Sequence, residues 1–551
     1  MPAALHAAPS VEPSKPAPPT FGAYLAGLYA QETRDYAAAA SFYSRALEAD
    51  PGVPELLGRA FLMDVADGRF AEATALAPRE LRLDPQDAVA QLVLAIDRLK
   101  KGDKAGALSN AERMPLGGIH RFARPLVLAW MRVAVGDLPG AEAALDELDN
   151  FNGFAPLKFF QLGLVYDFMG HPDKALADFN KTLSLSSRAN WRLTDAIANF
   201  YLRHGDRKKA DDLYKRFVNE NPGSELAESV LHMRPSGPPR PIVDAAASGL
   251  AEALFDLASV LNQPETIDLA LVYDRFALQL RPDYPLGQLL LADILSAEDR
   301  PAASLRILEA IPKNSPYSWS AQLRAAADLD ALGRTDEAIA KLKAMAAAEP
   351  RWAGASIQLG DILREKKDFA EAAAAYRDAI ARLQAAGMPE RWSLYYSFGI
   401  ALDRSNHWKQ AEAALEHAIA LKPEQPLVLN YLGYSWIDRG VKLHDGLAMI
   451  KKAVKLRPED GYIIDSLGWA HYRLGQYKDA VKYLEKAVEL VPDDPTINDH
   501  LGDAYWKAGR PIEARFQWRQ ALEFGPHKDK IKPIEAKLER GLGAPGHAGG
   551  G

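Results

Sequence analysis

Not one of the 551 residues is cysteine. A disulfide scaffold, a thiolate metal site, a cysteine nucleophile and a lipidated cysteine within this chain are therefore excluded. The compartment stays open, because cytoplasmic and envelope proteins alike can lack cysteine. No stretch reaches the roughly 18 apolar residues that a membrane-spanning helix needs. A basic excess is missing too: 66 Lys and Arg stand against 73 Asp and Glu, for a formal net charge of −7. Nucleic-acid binding calls for the opposite balance, since its affinity comes from displacing phosphate counterions. Catalytic machinery is equally scarce. There is no phosphate-binding loop, and none of the twelve histidines stands in a metal-ligand spacing such as H-E-x-x-H. Residues Gly541 to Gly546, GLGAPG, match the dinucleotide-binding spacing, but no strand pattern precedes them and no helix pattern comes after. Neither an enzyme nor a metal or cofactor site is expected.

The composition is that of an ordinary soluble protein, 48% hydrophobic and 25% charged, in a chain too long for one globular core. Residues 1–19 carry six prolines by Pro19 and lack the basic flank and apolar core of a secretory signal. They are expected to form a flexible tail, either a tether or the remnant of a removed signal.

The chain repeats itself. Leu501–Gly502, Tyr505, Ala514, Trp518, Ala521 and Pro526 come 34 residues after Leu467–Gly468, His471, Ala480, Leu484, Ala487 and Pro492. The small residue of the first helix recurs as Ala258, Ala292, Ala326, Gly360, Gly399, Gly433, Gly468 and Gly502, in steps of 34, 34, 34, 39, 34, 35 and 34. A weaker series runs Gly27, Phe61, Ala95, Ala129, Gly163 and Ala198. Small residues at a helix crossing let two backbones approach, and larger ones fill the space beside them. Glycines 205, 333, 475 and 509 supply the left-handed residue that ends each first helix, and prolines close the second. A hairpin of this kind cannot bury its own apolar face and is stabilised by its neighbours. His471 and His500 fall on adjacent first helices and read as repeat positions facing a neighbour or solvent.

The pattern resembles the tetratricopeptide repeat. The fold expected is all-α: a right-handed superhelical solenoid of about fourteen helical hairpins in two arrays. Six repeats occupy residues 20–224 and eight occupy 251–528, with a proline-rich joint at 225–250 between them. The joint is placed by the 60-residue step from Ala198 to Ala258 and by the helix-incompatible run Met233 to Ile242. The 39-residue step lengthens one second helix by about a turn. Residues 529–542 are expected to form a capping helix with Ile531, Ile534 and Leu538 on one face, and 543–551 a disordered glycine-rich tail.

In repeats of this family the second, fifth, ninth and twelfth positions line the concave face. The resemblance therefore implies a partner-binding groove in the last four repeats. Its lining would be Ser393, Tyr396, Ile400 and Asp403, then Leu427, Asn430, Tyr434 and Ile437. Tyr462, Asp465, Trp469 and Tyr472 come next, then Thr496, Asp499, Asp503 and Trp506. Aromatics in that phase suit a binding surface, and interleaved aspartates suit a ligand carrying Lys or Arg. The other reading of Trp469 and Tyr472 is packing between neighbouring first helices. Asn430 lacks the Lys and Asn neighbours of a carboxylate clamp. The first array offers a more apolar set, Leu126, Trp130, Phe160 and Leu164, suited to a different partner.

Residues Leu432–Gly433–Tyr434 and Asp465–Ser466–Leu467–Gly468–Trp469 are more specific than the generic repeat. They resemble the C-terminal repeats of a bacterial envelope family of tetratricopeptide lipoproteins. That family acts as adaptor for a carboxy-terminal processing serine protease and delivers cell-wall hydrolases to it. The resemblance implies a non-catalytic adaptor in the periplasm or envelope, although this chain has no cysteine to lipidate. The alternative is a cytoplasmic scaffold for a multiprotein complex.

Overall fold

A computed structural model of the chain describes residues 20–542 other than 116, 187–189, 222–223 and 233–238. The expected tails at 1–19 and 543–551, and most of the Met233 to Ile242 run, lie outside the described residues. Among the described residues there are thirty α-helices, two short 3-10 helices (Ile119–Phe122 and Glu147–Asn150) and no strand. Six hairpins run from Thr20–Glu32 with Tyr36–Ala49 to Trp191–Arg203 with Arg207–Glu220. A single helix, Glu225–His232, lies in the expected joint. Eight more hairpins run from Ala246–Leu261 with Ile267–Leu280 to Pro495–Lys507 with Pro511–Glu523, and helix Lys528–Arg540 ends the described chain.

The repeat positions have the physical role their size suggests. A Cβ placed on Gly163 would lie 2.4 Å from the Phe179 ring, on Gly360 2.6 Å from Tyr376, on Gly468 2.5 Å from Leu484, and on Gly502 2.5 Å from Trp518. Each pair is 16 residues apart. Phe61, the large residue in the small-residue series, has Ala77 at the same separation, and both are buried in one core cluster. The crossing thus keeps its total volume while the two helices exchange large for small. The long step is a longer helix: Phe369–Ala385 has 17 residues, against 14 in Trp408–Leu421.

The chain forms two compact units, residues 1–338 and 339–551. The expected division at 225–250 is therefore not where the chain divides, and the apolar groove expected in the first array is not open. Helix Ala246–Leu261 packs on Ala123–Ala134 and Ala155–Phe168, and Ile267–Leu280 packs on Pro54–Asp67. Gly249 makes the close approach possible, since a Cβ there would come within 2.2 Å of the Trp130 ring. Trp130 is 0% exposed, and Leu126, Phe160 and Leu164 are buried as well. Trp130 Nε1 donates to Gln161 Oε1 (2.9 Å), and Gln161 Nε2 donates in turn to Asp256 Oδ2 (2.7 Å). Glu252, itself buried, pairs with Arg192 and accepts from Arg281 Nη1 and the Tyr284 hydroxyl, each at 2.7 Å. Nearer the N-terminus, Tyr36 donates its hydroxyl to Asp268 (2.9 Å), and Arg275 Nε donates to the Ala66 carbonyl (3.0 Å). Aromatic anchors with satisfied polar groups at their edges favour this closed arrangement over an exposed apolar face.

In the second unit, helix Lys528–Arg540 covers the last hairpin, close to the expected span. Ile534 is buried, and Leu538 and Leu542 pack on the cluster around Trp518 and Tyr505.

Candidate protein-binding groove

The aspartates of the groove-lining phase are already engaged. Asp403 accepts from the Tyr431 hydroxyl (2.9 Å) and pairs with Arg439. Asp465 faces Nδ1 of His500 at 2.9 and 3.1 Å. Lys537 of the capping helix reaches back to Asp499 (2.7 Å) and Asp503 (2.8 Å), and Trp518 Nε1 donates to Asp503 (2.9 Å). Burial alone would depress Lys537, but the two carboxylates outweigh it and raise its pKa. Burial likewise works against a charged His500, and the Asp465 carboxylate overcomes it, so the imidazole titrates above its ordinary range. Carboxylates neutralised in this way have little attraction left for a basic ligand. The expected preference for Lys or Arg is corrected accordingly.

The tryptophans are also partly committed to the fold. Trp469 is half-buried, stacked between Tyr472 (centroids 4.7 Å apart) and His500 (4.1 Å). Its indole nitrogen is buried without a hydrogen-bond partner among the described residues. Trp506 packs beside Trp518 at 5.6 Å and under the end of the capping helix, where a Cβ on Gly541 would lie 1.9 Å from its ring. Trp506 is thus part of the cap contact rather than an open groove wall, because a terminal hairpin needs its last apolar face covered. Tyr396 is half-buried and meets Tyr431 edge-on at 6.0 Å. Asn430 is half-buried, and its side-chain oxygen has no donor among the described residues. Tyr462 is 58% exposed.

An open cavity of about 420 Å³ does lie in this unit, and Tyr434 and Asp499 line it. The other walls are Lys367, from the turn after helix Gly354–Glu365; Arg404, the last residue of helix Trp392–Arg404; Thr496 and His500; and His527, Asp529, Lys530 and Ile534 around the start of the capping helix. Side chains from four separate hairpins and the cap therefore converge on one space. Of the expected groove-lining residues, the structure brings Tyr434, Thr496 and Asp499 to it. Lys367, Arg404 and Lys530 were not among those expectations, because they lie off the groove-lining phase. One signal for Lys367 is visible in the sequence. It stands 34 residues after Gly333, at the turn position that is glycine in other repeats, and it holds a left-handed φ of 67°. A side chain kept there costs about 1 kcal/mol relative to glycine.

Family comparisons agree with the hairpin architecture. A TPR repeat model matches residues 468–509, and tetratricopeptide repeat models match 323–387, 159–188 and 196–224. The chain carries tetratricopeptide repeats. A similar protein is the TPR repeat-containing protein PA4667 of Pseudomonas aeruginosa, 31% identical over 167 residues. That match covers 30% of this chain and 27% of the relative, so the chain spans about a quarter of the length of the curated relative it matches. Among solved structures, the APC/C hetero-tetramer Cut9–Hcn1 aligns over 96% of this chain and 97% of its own, at 18% identity and a TM-score of 0.39. Yeast Tom70 aligns over 94% and 95%, at 14% identity and a TM-score of 0.29.

Proposed function

We propose that the chain is a non-catalytic adaptor that holds a partner protein's segment in the groove of its second unit. The observation carrying this reading is the cavity at Tyr434, Thr496 and Lys367: its walls come from separate hairpins, and several of its polar groups have no partner of their own among the described residues. The finer reading is an envelope adaptor that binds a carboxy-terminal processing serine protease and presents cell-wall hydrolases to it. Its support is the block around Leu432–Tyr434 and Asp465–Trp469, which lies within the repeats resembling that family.

The test mixes the purified chain with a purified carboxy-terminal processing protease and a cell-wall hydrolase. Co-elution on gel filtration and faster hydrolase cleavage are expected. Absence of both removes the envelope adaptor reading and leaves a scaffold for other partners.

A further inference from the structure

From the distribution of partnered and unpartnered charge, we infer that the cavity of the second unit takes an acidic segment, a stretch of partner chain with clustered carboxylate side chains. The inference rests on the groove being the proposed partner site, and it names the chemistry of the partner.

Three cationic groups line the space: Lys367, Arg404 and Lys530. None of them has an ion-pair partner among the described residues. Arg404 lies over the Phe369 ring at 5.5 Å, a contact that orients the guanidinium without neutralising it. The two carboxylates of the wall are taken, Asp499 by Lys537 and Asp529 by His527. His500 is likewise held by Asp465. Two hydroxyls add further donors, since those of Tyr434 and Thr496 have no hydrogen-bond partner among the described residues. Burial raises the Tyr434 phenol, so it stays protonated and able to donate. A space walled by free donors and used acceptors selects an acceptor-rich, negatively charged ligand.

The geometry favours side-chain carboxylates over a single chain-terminal one. The cations come from three widely separated places in the sequence: a turn, a helix end and the cap. They can therefore engage several carboxylates spread along a segment, as charge-assisted contacts do. The turn around Lys367 has a parallel in the first unit. Arg34 is also a non-glycine residue in left-handed conformation, with a φ of 56°, and its side chain lies against Glu298 at 3.6 Å. At that turn the side chain meets a carboxylate of its own chain. Lys367 meets none among the described residues, and its carboxylate is expected from outside.

The experiment uses the full chain and two fluorescein-labelled, C-terminally amidated peptides, one of alternating Glu and Leu and one of alternating Lys and Leu. The Glu peptide should bind and the Lys peptide should not, with affinity falling as salt rises. The triple variant Lys367→Ala, Arg404→Ala, Lys530→Ala should weaken Glu-peptide binding by about tenfold or more. All three positions are exposed, so the melting temperature should hold. Equal binding of the two peptides, or unchanged Glu-peptide binding in the triple variant, overturns the inference. So does full displacement of the peptide by equimolar inorganic phosphate, which would mark a small-anion site. The single variant Lys530→Ala, expected to weaken binding in part, decides the matter if the triple variant melts early. Protease co-elution measured on the same samples separates the two claims: if it persists without Glu-peptide preference, the adaptor reading stands and the acidic-segment inference falls.

Discussion

His500, on helix Pro495–Lys507, meets side chains of the preceding first helix, Gly461–Arg473, and of its own helix. Trp469 stacks on its ring, Asp465 faces its Nδ1, and Asp499 and Asp503 lie near enough to add to the field. Its folded-state pKa is raised above the ordinary imidazole value. A group raised in this way contributes stability that is fully present below about pH 6.5, the unfolded value, and is lost as pH rises through the folded value. Wild-type protein should therefore lose stability as pH rises above about 6.5. Asp64 and Asp256, each pushed up to about 7 by burial, change in the same direction, so wild type alone does not isolate the pair. The variant Asp465→Asn does. Urea midpoints should show the variant less stable than wild type at the acid end, with the gap narrowing toward the alkaline end. A gap independent of pH would mean that Asp465 does not raise the His500 imidazole.

At the scale of the helical hairpin, stability depends on the crossing. Gly502→Ala would place a methyl group 2.5 Å from the Trp518 ring, which is fully buried and bonded to Asp503. The indole can shift only by giving up that bond or displacing the cap, and a loss of about 1–3 kcal/mol is expected from denaturant unfolding. An unchanged midpoint would show the crossing to be loose. This level was legible in the sequence because the small residues recur at the spacing of the contact itself: Gly468 and Leu484 predict each other from within one repeat. The cap was legible for the same reason, since Ile534 and Leu538 continue an apolar face. The groove residues were legible only in part. A repeat pattern gives the direction a side chain takes from its own helix. It does not show that Lys537, 38 residues beyond Asp499, returns to neutralise it, or that Gly541 closes over Trp506. Those contacts depend on where the cap lands, which no periodicity encodes.

At the scale of the first compact unit, the proline-rich segment is a connection rather than a division. The helices after it pack onto those before it, through Gly249 on Trp130, Asp256 on Gln161 and Glu252 on Arg192. The prolines around Pro239 and Pro241 tell against a helix there from sequence alone. That the next helix folds back is a different matter, because its partners are non-local and obey no repeat spacing. A protease site introduced at the exposed Arg240 should therefore give two pieces that stay together on gel filtration and melt in one transition. Pieces that separate and melt independently would restore the joint as a boundary between self-sufficient arrays.

The function proposed for the whole molecule turns on whether the partner sits in the second unit's groove. Thr496 is exposed on its wall, and Thr496→Trp would place a bulky ring in the space. The deciding measurement is the affinity of this variant for the purified carboxy-terminal processing protease, with melting monitored on the same sample. Unchanged melting with binding weakened by about tenfold or more is expected if the partner occupies the groove. Wild-type affinity in a folded, groove-filled variant would contradict it.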